Sequence, residues 1–194
     1  MRQASSRGDT KCIKQLMEQG VSVNVPDKAG FSAFKYACGG GHLDAVRLMV
    51  QSADLNDADG RTTALIAATR NGHAPVVRFL LEEGADVESR DDGGNTALLI
   101  ACAGGYVDCA RALLLEEKKG GRRGGGADPN AANAVGNAGL HLCARDGREE
   151  IASLLLDRGA EAGAKNASGM TPMEIAKARR HQGVVEVLSE VNFD

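Results

Sequence analysis

The stretch Thr63-Ala-Leu-Ile-Ala-Ala-Thr-Arg-Asn-Gly-His73 is one copy of an element that recurs along the chain. Three further copies are Ser32-Ala-Phe-Lys-Tyr-Ala-Cys-Gly-Gly-Gly-His42, Thr96-Ala-Leu-Leu-Ile-Ala-Cys-Ala-Gly-Gly-Tyr106 and Ala138-Gly-Leu-His-Leu-Cys-Ala-Arg-Asp-Gly-Arg148, and a fifth begins at Thr171. The successive starting residues lie 31, 33, 42 and 33 residues apart. A nearly fixed period of this size is typical of a solenoid, in which function lies on an extended surface rather than in an enclosed pocket.

Each copy leads into a second apolar segment, and the paired segments resemble the ankyrin repeat. The matching residues are Gly84-Ala85-Asp86, Gly126-Ala127-Asp128-Pro129-Asn130, Gly159-Ala160-Glu161 and Thr171-Pro172. The resemblance implies an all-α fold, an elongated and curved ankyrin-repeat solenoid. Each unit of such a solenoid is a helix-turn-helix pair with a β-hairpin or turn finger.

The spacing predicts one domain, 1–194, made of six units, and two of its junctions are irregular. A partial amino-terminal capping repeat, which lacks a hairpin and most of a first helix, precedes the full repeats. In the last unit, Ser189 and Glu190 make the second helix more polar, as a terminal cap requires. The predicted units are 1–26, 27–56, 57–88, 89–130 with a Gly/Arg/Lys-rich insertion near 116–125, 131–163 and a carboxyl-terminal capping repeat at 164–194.

The composition fits a thin core shared between repeats, because 43% of residues are hydrophobic and only 3% are aromatic. The formal net charge of −3 argues against nonspecific binding to nucleic acid or to a membrane surface. No segment has the roughly 20 apolar residues that cross a bilayer, and the first residues lack a secretory apolar run. We therefore expect a cytoplasmic or nuclear protein that is a monomer on its own.

Cysteines and histidines fall in repeat positions, which favours structural roles over catalysis. The five cysteines include no Cys-x-x-Cys pair, so we expect buried free thiols and neither zinc nor disulfides. Cys38 and His42 lie four residues apart but occupy recurring slots. By resemblance, the histidines make hydrogen bonds within and between loops. The sequence therefore predicts no enzyme, no catalytic residue, no metal and no cofactor.

The segment 118–126 combines lysine, arginine and glycine but follows a helix and lacks a Gly-Lys-Ser/Thr ending, so it is no phosphate-binding P-loop. Its position within a repeat junction predicts a flexible, positively charged loop. Three interpretations remain for this loop: a tolerated insertion without a role, a contact for an acidic partner, or a weak nuclear-import signal.

Function is expected on the hairpin tips and the exposed ends of the first helices, which by resemblance line a concave groove. Phe31 and Met170 are notable as apolar residues on exposed hairpins. Arg70 and Arg145 share a slot two repeats apart, with Ala103 between them, and are candidates to bind an acidic or extended peptide. The candidate partner-binding residues are Lys28, Phe31, Asp59, Arg61, Arg70, Asn71, Asp92, Asn95, Asn137, Arg145, Asp146, Met170 and Arg179.

The leading hypothesis is a non-catalytic protein-protein interaction scaffold or adaptor. One alternative is a regulatory or targeting region of a larger enzyme. A second is a module that binds a nucleotide or another small ligand, although the low aromatic content disfavours base stacking. The identity of the partner protein does not follow from the sequence.

The array is predicted to be least cooperative between Leu115 and Leu140. The insertion lies there, and the next helix-start slot holds Ala138 and Gly139 where the repeat normally has Thr-Pro. Losing the threonine cap costs about 1 kcal/mol, and glycine adds to this cost. Hydrogen exchange should show faster amide exchange in 115–140 than in 63–81. Equal protection of the two segments would contradict the prediction.

Overall fold

The computed structural model describes residues 1–57, 62–115 and 126–190, which form pairs of short helices joined by turns. A short 3-10 helix, Val50–Ser52, follows the fourth α-helix. The α-helices are α1 Arg2–Arg7, α2 Thr10–Glu18, α3 Ala33–Gly39, α4 Leu43–Met49, α5 Ala64–Arg70, α6 Ala74–Glu82, α7 Ala97–Gly104, α8 Val107–Leu114, α9 Gly139–Asp146, α10 Glu149–Leu156, α11 Pro172–Arg179 and α12 Gln182–Glu190.

Side-chain caps explain why most of the first helices begin where they do. The Ser32 hydroxyl oxygen accepts a hydrogen bond from the Lys35 amide at 3.2 Å, and Thr63 accepts from Ile66 at 3.3 Å. Thr171 adds a capping box, because its amide donates to the Glu174 carboxylate at 2.8 Å. These bonds satisfy amide groups that the first helical turn leaves without partners.

The odd-numbered helices pack side by side in one layer and the even-numbered helices in a second layer. Alanines 37, 68, 101 and 176 share one slot and are fully buried, as the repeat register predicts. The small side chains let neighbouring first helices approach closely. The two layers enclose one continuous apolar core that reaches from Ala4 to Leu188. The all-α solenoid expected from the sequence is therefore confirmed.

One expectation about the helices needs correction. The amino-terminal unit has a first helix of 6 residues, close to the 7 of α3, so the expectation that it lacks most of this helix is wrong. The partial capping unit therefore has a first helix of nearly full length. Phe79 on α6 is half-buried against the core, and the Arg47 guanidinium lies 5.3 Å from the centre of its ring. No helix within the described ranges is long and apolar enough to cross a membrane.

Histidines tie neighbouring repeats together, as the resemblance implied. The ring nitrogen Nε2 of His42 lies 3.0 Å from the Ser6 carbonyl oxygen, and that of His73 lies 3.0 Å from the Gly39 carbonyl oxygen. His181 makes the same bond to Arg145 at 3.1 Å. Tyr106 and Arg148 occupy this slot in the two central repeats, and neither makes a corresponding bond among the described residues. Within the described residues, the repeat that contains α7 is thus without this ring-to-carbonyl bond on either side.

The start of α9 departs from the other first helices. Ala138 provides no side-chain cap, and its own amide instead donates to His141 Nδ1 at 3.2 Å. A Cβ atom on Gly139 would lie 2.9 Å from Leu155 Cδ1 and 3.2 Å from Cys102 Sγ. A side chain at this position would therefore have to displace packed neighbours.

Gly139→Ala is expected to lower the free energy of unfolding by about 1 kcal/mol. Alanine favours helix by about 1 kcal/mol, but forcing a methyl group against the buried Leu155 and Cys102 costs about 1–3 kcal/mol. Urea unfolding would measure the change. Gly163→Ala is the control, because a Cβ atom there meets nothing within 4 Å. A more stable Gly139→Ala protein would show that helix propensity, not space, limits this position.

Candidate functional site

Four of the turns before the first helices, all within the described residues, are each held by one Asp or Asn side chain. In the first full repeat, Asp27 Oδ1 accepts hydrogen bonds from the amides of Ala29 at 2.8 Å and Phe31 at 3.0 Å. Asp91, Asn133 and Asn166 hold the later turns in the same way. The described residues contain no extended strands here, only the isolated antiparallel bridges Arg90↔Thr96 and Ala132↔Ala138. The fingers are turns rather than long β-hairpins.

Neighbouring turns are joined by backbone hydrogen bonds, which hold the row of turns in place beside the first helices. The Ala134 amide donates to the Gly93 carbonyl at 3.1 Å, and Ala167 donates to Val135 at 3.2 Å. Gly94 and Gly136 have φ angles of 71° and 73°, and a Cβ atom on either would lie within 2.9 Å of the next turn's backbone. Only glycine allows this conformation and this close approach.

A groove of about 460 Å³ lies over α7, between the ends of α5 and α9. Leu99, Ile100, Ala103 and Leu142 contribute apolar surface. The turn side is polar, because Asn95 and Asn133 lie there with Asn133 Nδ2 donating to Asn95 Oδ1 at 2.9 Å. Arg70 and Arg145 also line the groove, from the two helices that flank α7. The arrangement can hold an extended chain that presents an apolar side chain and hydrogen-bonding or charged groups.

Arg70 is half-exposed and bonded to a carboxylate that already has other partners. Its Nη2 donates to Asp91 Oδ2 at 3.1 Å, and the exposed side-chain fractions are 51% for Arg70 and 12% for Asp91. Asp91 Oδ1 accepts from the amides of Gly93 and Asn95 and from Asn95 Nδ2, at 2.9 to 3.0 Å. Asp91 therefore stays hydrogen-bonded if Arg70 turns toward a ligand.

Arg145 is paired with its neighbour in the chain. Its Nε and Nη2 donate to the two carboxylate oxygens of Asp146 at 3.0 and 2.7 Å. This pair raises the pKa of Arg145, so the guanidinium keeps its charge at every physiological pH. The side chain remains 44% exposed. Asp146 thus partly neutralises the second arginine of the groove.

The structure brings only some of the proposed partner-binding residues together. Arg70, Asn95 and Arg145 line one groove. Asn71 donates to the Gly39 carbonyl at 2.8 Å and Asn137 accepts from Asn166 at 2.8 Å, so both amides also join repeats. Lys28, Asp92, Met170 and Arg179 are exposed at separate turns and helix ends. Asp59, Arg61 and the insertion at 116–125 lie outside the described residues.

Phe31 has a structural contact that the sequence interpretation missed. Its ring packs against Tyr36 with ring centroids 5.5 Å apart, and the side chain is half-buried. The Tyr36 hydroxyl in turn donates to Asp27 Oδ2 at 2.7 Å, and chiefly this bond lowers the pKa of Asp27. Phe31 therefore supports its own turn.

Several other features were not anticipated from the sequence. Tyr106 and Ile100 line the groove, and Val135, with 58% of its surface exposed, lies at a turn tip. Lys35 is buried and forms an ion pair with Asp57 at 3.1 Å. The recurring histidine slot would have drawn attention to Tyr106, because tyrosine replaces histidine there. No local signal marks Ile100 or Val135.

The cysteine thiols lie in or against the apolar core, where they pack like small hydrophobic side chains. All five thiols are free; four of them, Cys38, Cys102, Cys109 and Cys143, are buried, and Cys12 is half-buried. Burial raises the pKa of the Cys38 thiol and raises that of Cys109 to about 11. A hydrogen bond with Cys143, together with burial, raises the pKa of Cys102. Thiols in this state are poor nucleophiles, and the described residues contain no cluster suited to a metal ion.

The chain is similar throughout its length to a family model described as ankyrin repeats in three copies. The matched segments are residues 1–91, 57–123 and 123–194. Ankyrin repeat domain-containing protein 63 of Homo sapiens is 38% identical over 107 residues, which are 52% of this chain and 28% of that protein. Ankyrin repeat and SOCS box protein 16 of Mus musculus is 30% identical over 217 residues, covering 89% of this chain and 46% of that protein. The chain thus spans less than half the length of these relatives.

Two solved structures show the same architecture. A chain from the complex of a predatory endopeptidase of Bdellovibrio bacteriovorus with an immunity protein superposes with a TM-score of 0.80 at 26% identity. That match covers 97% of this chain and 96% of the other. The ankyrin repeat domain of Bcl-3, a member of the IkappaB protein family, superposes with a TM-score of 0.77 at 27% identity. It covers 93% of this chain and 77% of the other.

His141 links the groove helix α9 to the last turn and must be neutral to do so. Its Nδ1 accepts from the Ala138 amide, and its Nε2 lies 3.1 Å from the Met170 carbonyl oxygen. Burial lowers the pKa of His141 below its ordinary value of 6.5. The unfolded chain therefore takes up this proton at a higher pH than the folded protein does.

His141 is expected to make stability fall as the pH drops below about 7, because its stabilising contribution is complete only above the unfolded pKa. His141→Gln should flatten the dependence of the unfolding free energy on pH in this range. The pKa values of Asp27 and Glu174 are also lowered, but from ordinary values of 3.8 and 4.5, so their effect lies at more acid pH. Urea unfolding at a series of pH values measures the slope, and an unchanged slope in the variant would contradict the assignment.

Proposed function

Because the chain belongs to the ankyrin repeat family, we propose that it is a non-catalytic scaffold that binds a partner protein through its concave groove and hairpin tips. Ankyrin repeats generally mediate protein-protein interaction. The partner surface is then the first-helix layer with its turns, and the second helices form the supporting layer. We further propose that the protein is a monomer on its own and acts in the cytoplasm or nucleus.

The observation that carries this proposal is the groove over α7. It spans the ends of three successive first helices and combines apolar floor residues with the exposed guanidinium groups of Arg70 and Arg145. Interfaces commonly combine an apolar centre with arginine and aromatic contacts. Tyr106 lies in the same groove and supplies the aromatic element.

The turn tips extend the proposed surface. Val135 and Met170 are exposed by 58% and 42% and belong to neighbouring turns that share a backbone hydrogen bond from Ala167 to Val135. Apolar side chains held on rigid turns can contact a partner with little loss of conformational freedom on binding. Lys28 and Asp92 are the charged candidates on the other turns.

A second candidate function is the regulation of an enzyme by a bound ankyrin chain. The likeness to a chain of the endopeptidase complex with its immunity protein supports it, because nearly all of both chains is covered. In this function the partner protein is an enzyme, and the same surface would contact it. The chain itself would remain without catalytic residues.

Site-specific photo-crosslinking in a lysate of the source cells tests the location of the partner surface. A small diazirine side chain would replace Ala103 in the groove, Val135 at a turn tip or Arg78 in the exposed part of the second-helix layer. Circular dichroism would first establish that the three variants are folded. Crosslinks to the same protein from positions 103 and 135, but not from position 78, are expected.

Crosslinks from position 78 alone would overturn the proposed surface. If the protein crosslinked from positions 103 and 135 proves to be an enzyme, its activity with and without the chain decides between the two candidate functions. Unchanged activity favours the scaffold, and inhibition or activation favours the regulator.

A further inference from the structure

The charges of the two helix layers differ in sign. Among the first helices the acidic residues are few, and α5, α9 and α11 carry basic side chains in their last turns. The second helices are more acidic, and α10 and α12 contain no basic residue. The exposed basic residues at the ends of the first helices are Arg70, Arg145, Lys177 and Arg179, and the acidic residues of α10 and α12 are Glu149, Glu150, Glu186 and Glu190.

The chain as a whole is acidic, with a formal net charge of −3, so the basic first-helix face is a local feature. A face of this kind attracts negatively charged groups at short range. Two of its basic side chains, Arg70 and Arg145, line the same groove, where they form ion pairs with Asp91 and Asp146.

The two arginines differ in how readily they can bind a ligand. Arg70 donates through Nη2 to a carboxylate that three other donor groups already satisfy, so it can turn to an incoming carboxylate at little cost to Asp91. Arg145 is held by two bonds to Asp146 and offers only its remaining donors. A guanidinium group has five donor hydrogens, so a second carboxylate can bind beside the first.

Between the arginines the groove has little side-chain volume. Ala103 and Gly104 occupy the end of α7, and a Cβ atom on Gly104 would collide with the Tyr106 ring. Ile100 and Leu99 form an apolar floor beneath this gap. The space fits an apolar side chain of a bound segment, flanked by one acidic group toward each arginine.

We infer that the groove binds an extended acidic segment of a partner protein, with one carboxylate on Arg70, a second on Arg145 and an aliphatic side chain over Ala103. This inference rests on the proposed function and gives its partner a chemical class. Packed helices lie roughly 8–10 Å apart, so α5 and α9 are roughly 16–20 Å apart across α7. An extended chain advances about 3.3 Å per residue and its side chains alternate between two faces, so two acidic residues that both face the groove lie about six positions apart.

The binding of a short fluorescein-labelled peptide, measured by fluorescence anisotropy, tests this inference. The peptide has two glutamates about six residues apart and, between them, a leucine an even number of positions from each, so that all three side chains share one face; a second peptide replaces both glutamates with glutamine. Arg70→Ala and Arg145→Ala are each expected to weaken binding of the acidic peptide about three- to tenfold. Asp146→Asn is expected to strengthen it about two- to threefold, because it removes the carboxylate that competes for Arg145.

Arg111→Ala is the matched control. Arg111 is also half-exposed, at 48%, and forms an ion pair with Glu150 at 2.9 Å, but it lies in the second-helix layer. Its replacement is expected to leave peptide affinity unchanged. Raising the salt concentration should weaken binding of the acidic peptide to the native chain and have less effect on the Arg70→Ala variant.

Equal binding of the glutamate and glutamine peptides would overturn the inference, as would an effect of Arg111→Ala equal to that of Arg70→Ala. A single-stranded oligonucleotide that binds more tightly than the acidic peptide, and loses affinity in the same arginine variants, would assign the groove to nucleic acid instead. If the acidic peptide fails while position 103 still crosslinks a protein, the partner has another chemistry and the proposed function stands. If both experiments fail, the groove is not the partner surface.

Discussion

The close approach of neighbouring first helices is the constraint on which the remaining structure depends. One slot on these helices holds alanine in α3, α5, α7 and α11 and Cys143 in α9. Because these side chains are small, the neighbouring first helices can pack closely at this slot. The thicker side chains of the second helices then fill the space behind, as Leu80, Leu113 and Leu155 do. Since each unit is too thin to bury its apolar stripe alone, stability is shared between adjacent repeats. Because of the same tight packing, a side chain at Gly139 would have to displace its neighbours.

The close packing also shapes the groove. The short side chain of Ala103 at the end of α7 leaves space there, while the same slot holds arginine in α5 and α9. The turns supply the polar wall, because their Asp and Asn side chains satisfy the turn amides and bond to the next turn. A surface with this many internal hydrogen bonds is largely preformed, which lowers the entropic cost of binding.

The repeat that contains α7 lines the groove and is connected to its neighbouring repeats differently from the others. Between other pairs of repeats, a histidine ring bonds to a backbone carbonyl oxygen of the preceding repeat, as His42, His73 and His181 do. Tyr106 and Arg148 replace histidine on the two sides of α7, and Tyr106 uses its ring to pack beside Gly72 and Gly104. A residue that departs from the repeat pattern thus lies in the candidate site, which agrees with the general rule that functional sites depart from local consensus.

The repeat period was enough to predict a solenoid, because a period depends only on local spacing, and the family resemblance added the all-α fold and the paired helices. Histidine bonding between repeats followed from the family resemblance. The same register placed Arg70, Ala103 and Arg145 on one face.

Features that depend on contacts between distant residues required the tertiary structure. The sequence does not show that Asp91 has three other donors, that Asp146 neutralises Arg145, or that Phe31 packs on Tyr36. It also does not show that Leu155 and Cys102 pack closely against Gly139. The periodic pattern assigns each residue to a slot, but which neighbour fills the space beside that slot is decided only when the repeats stack.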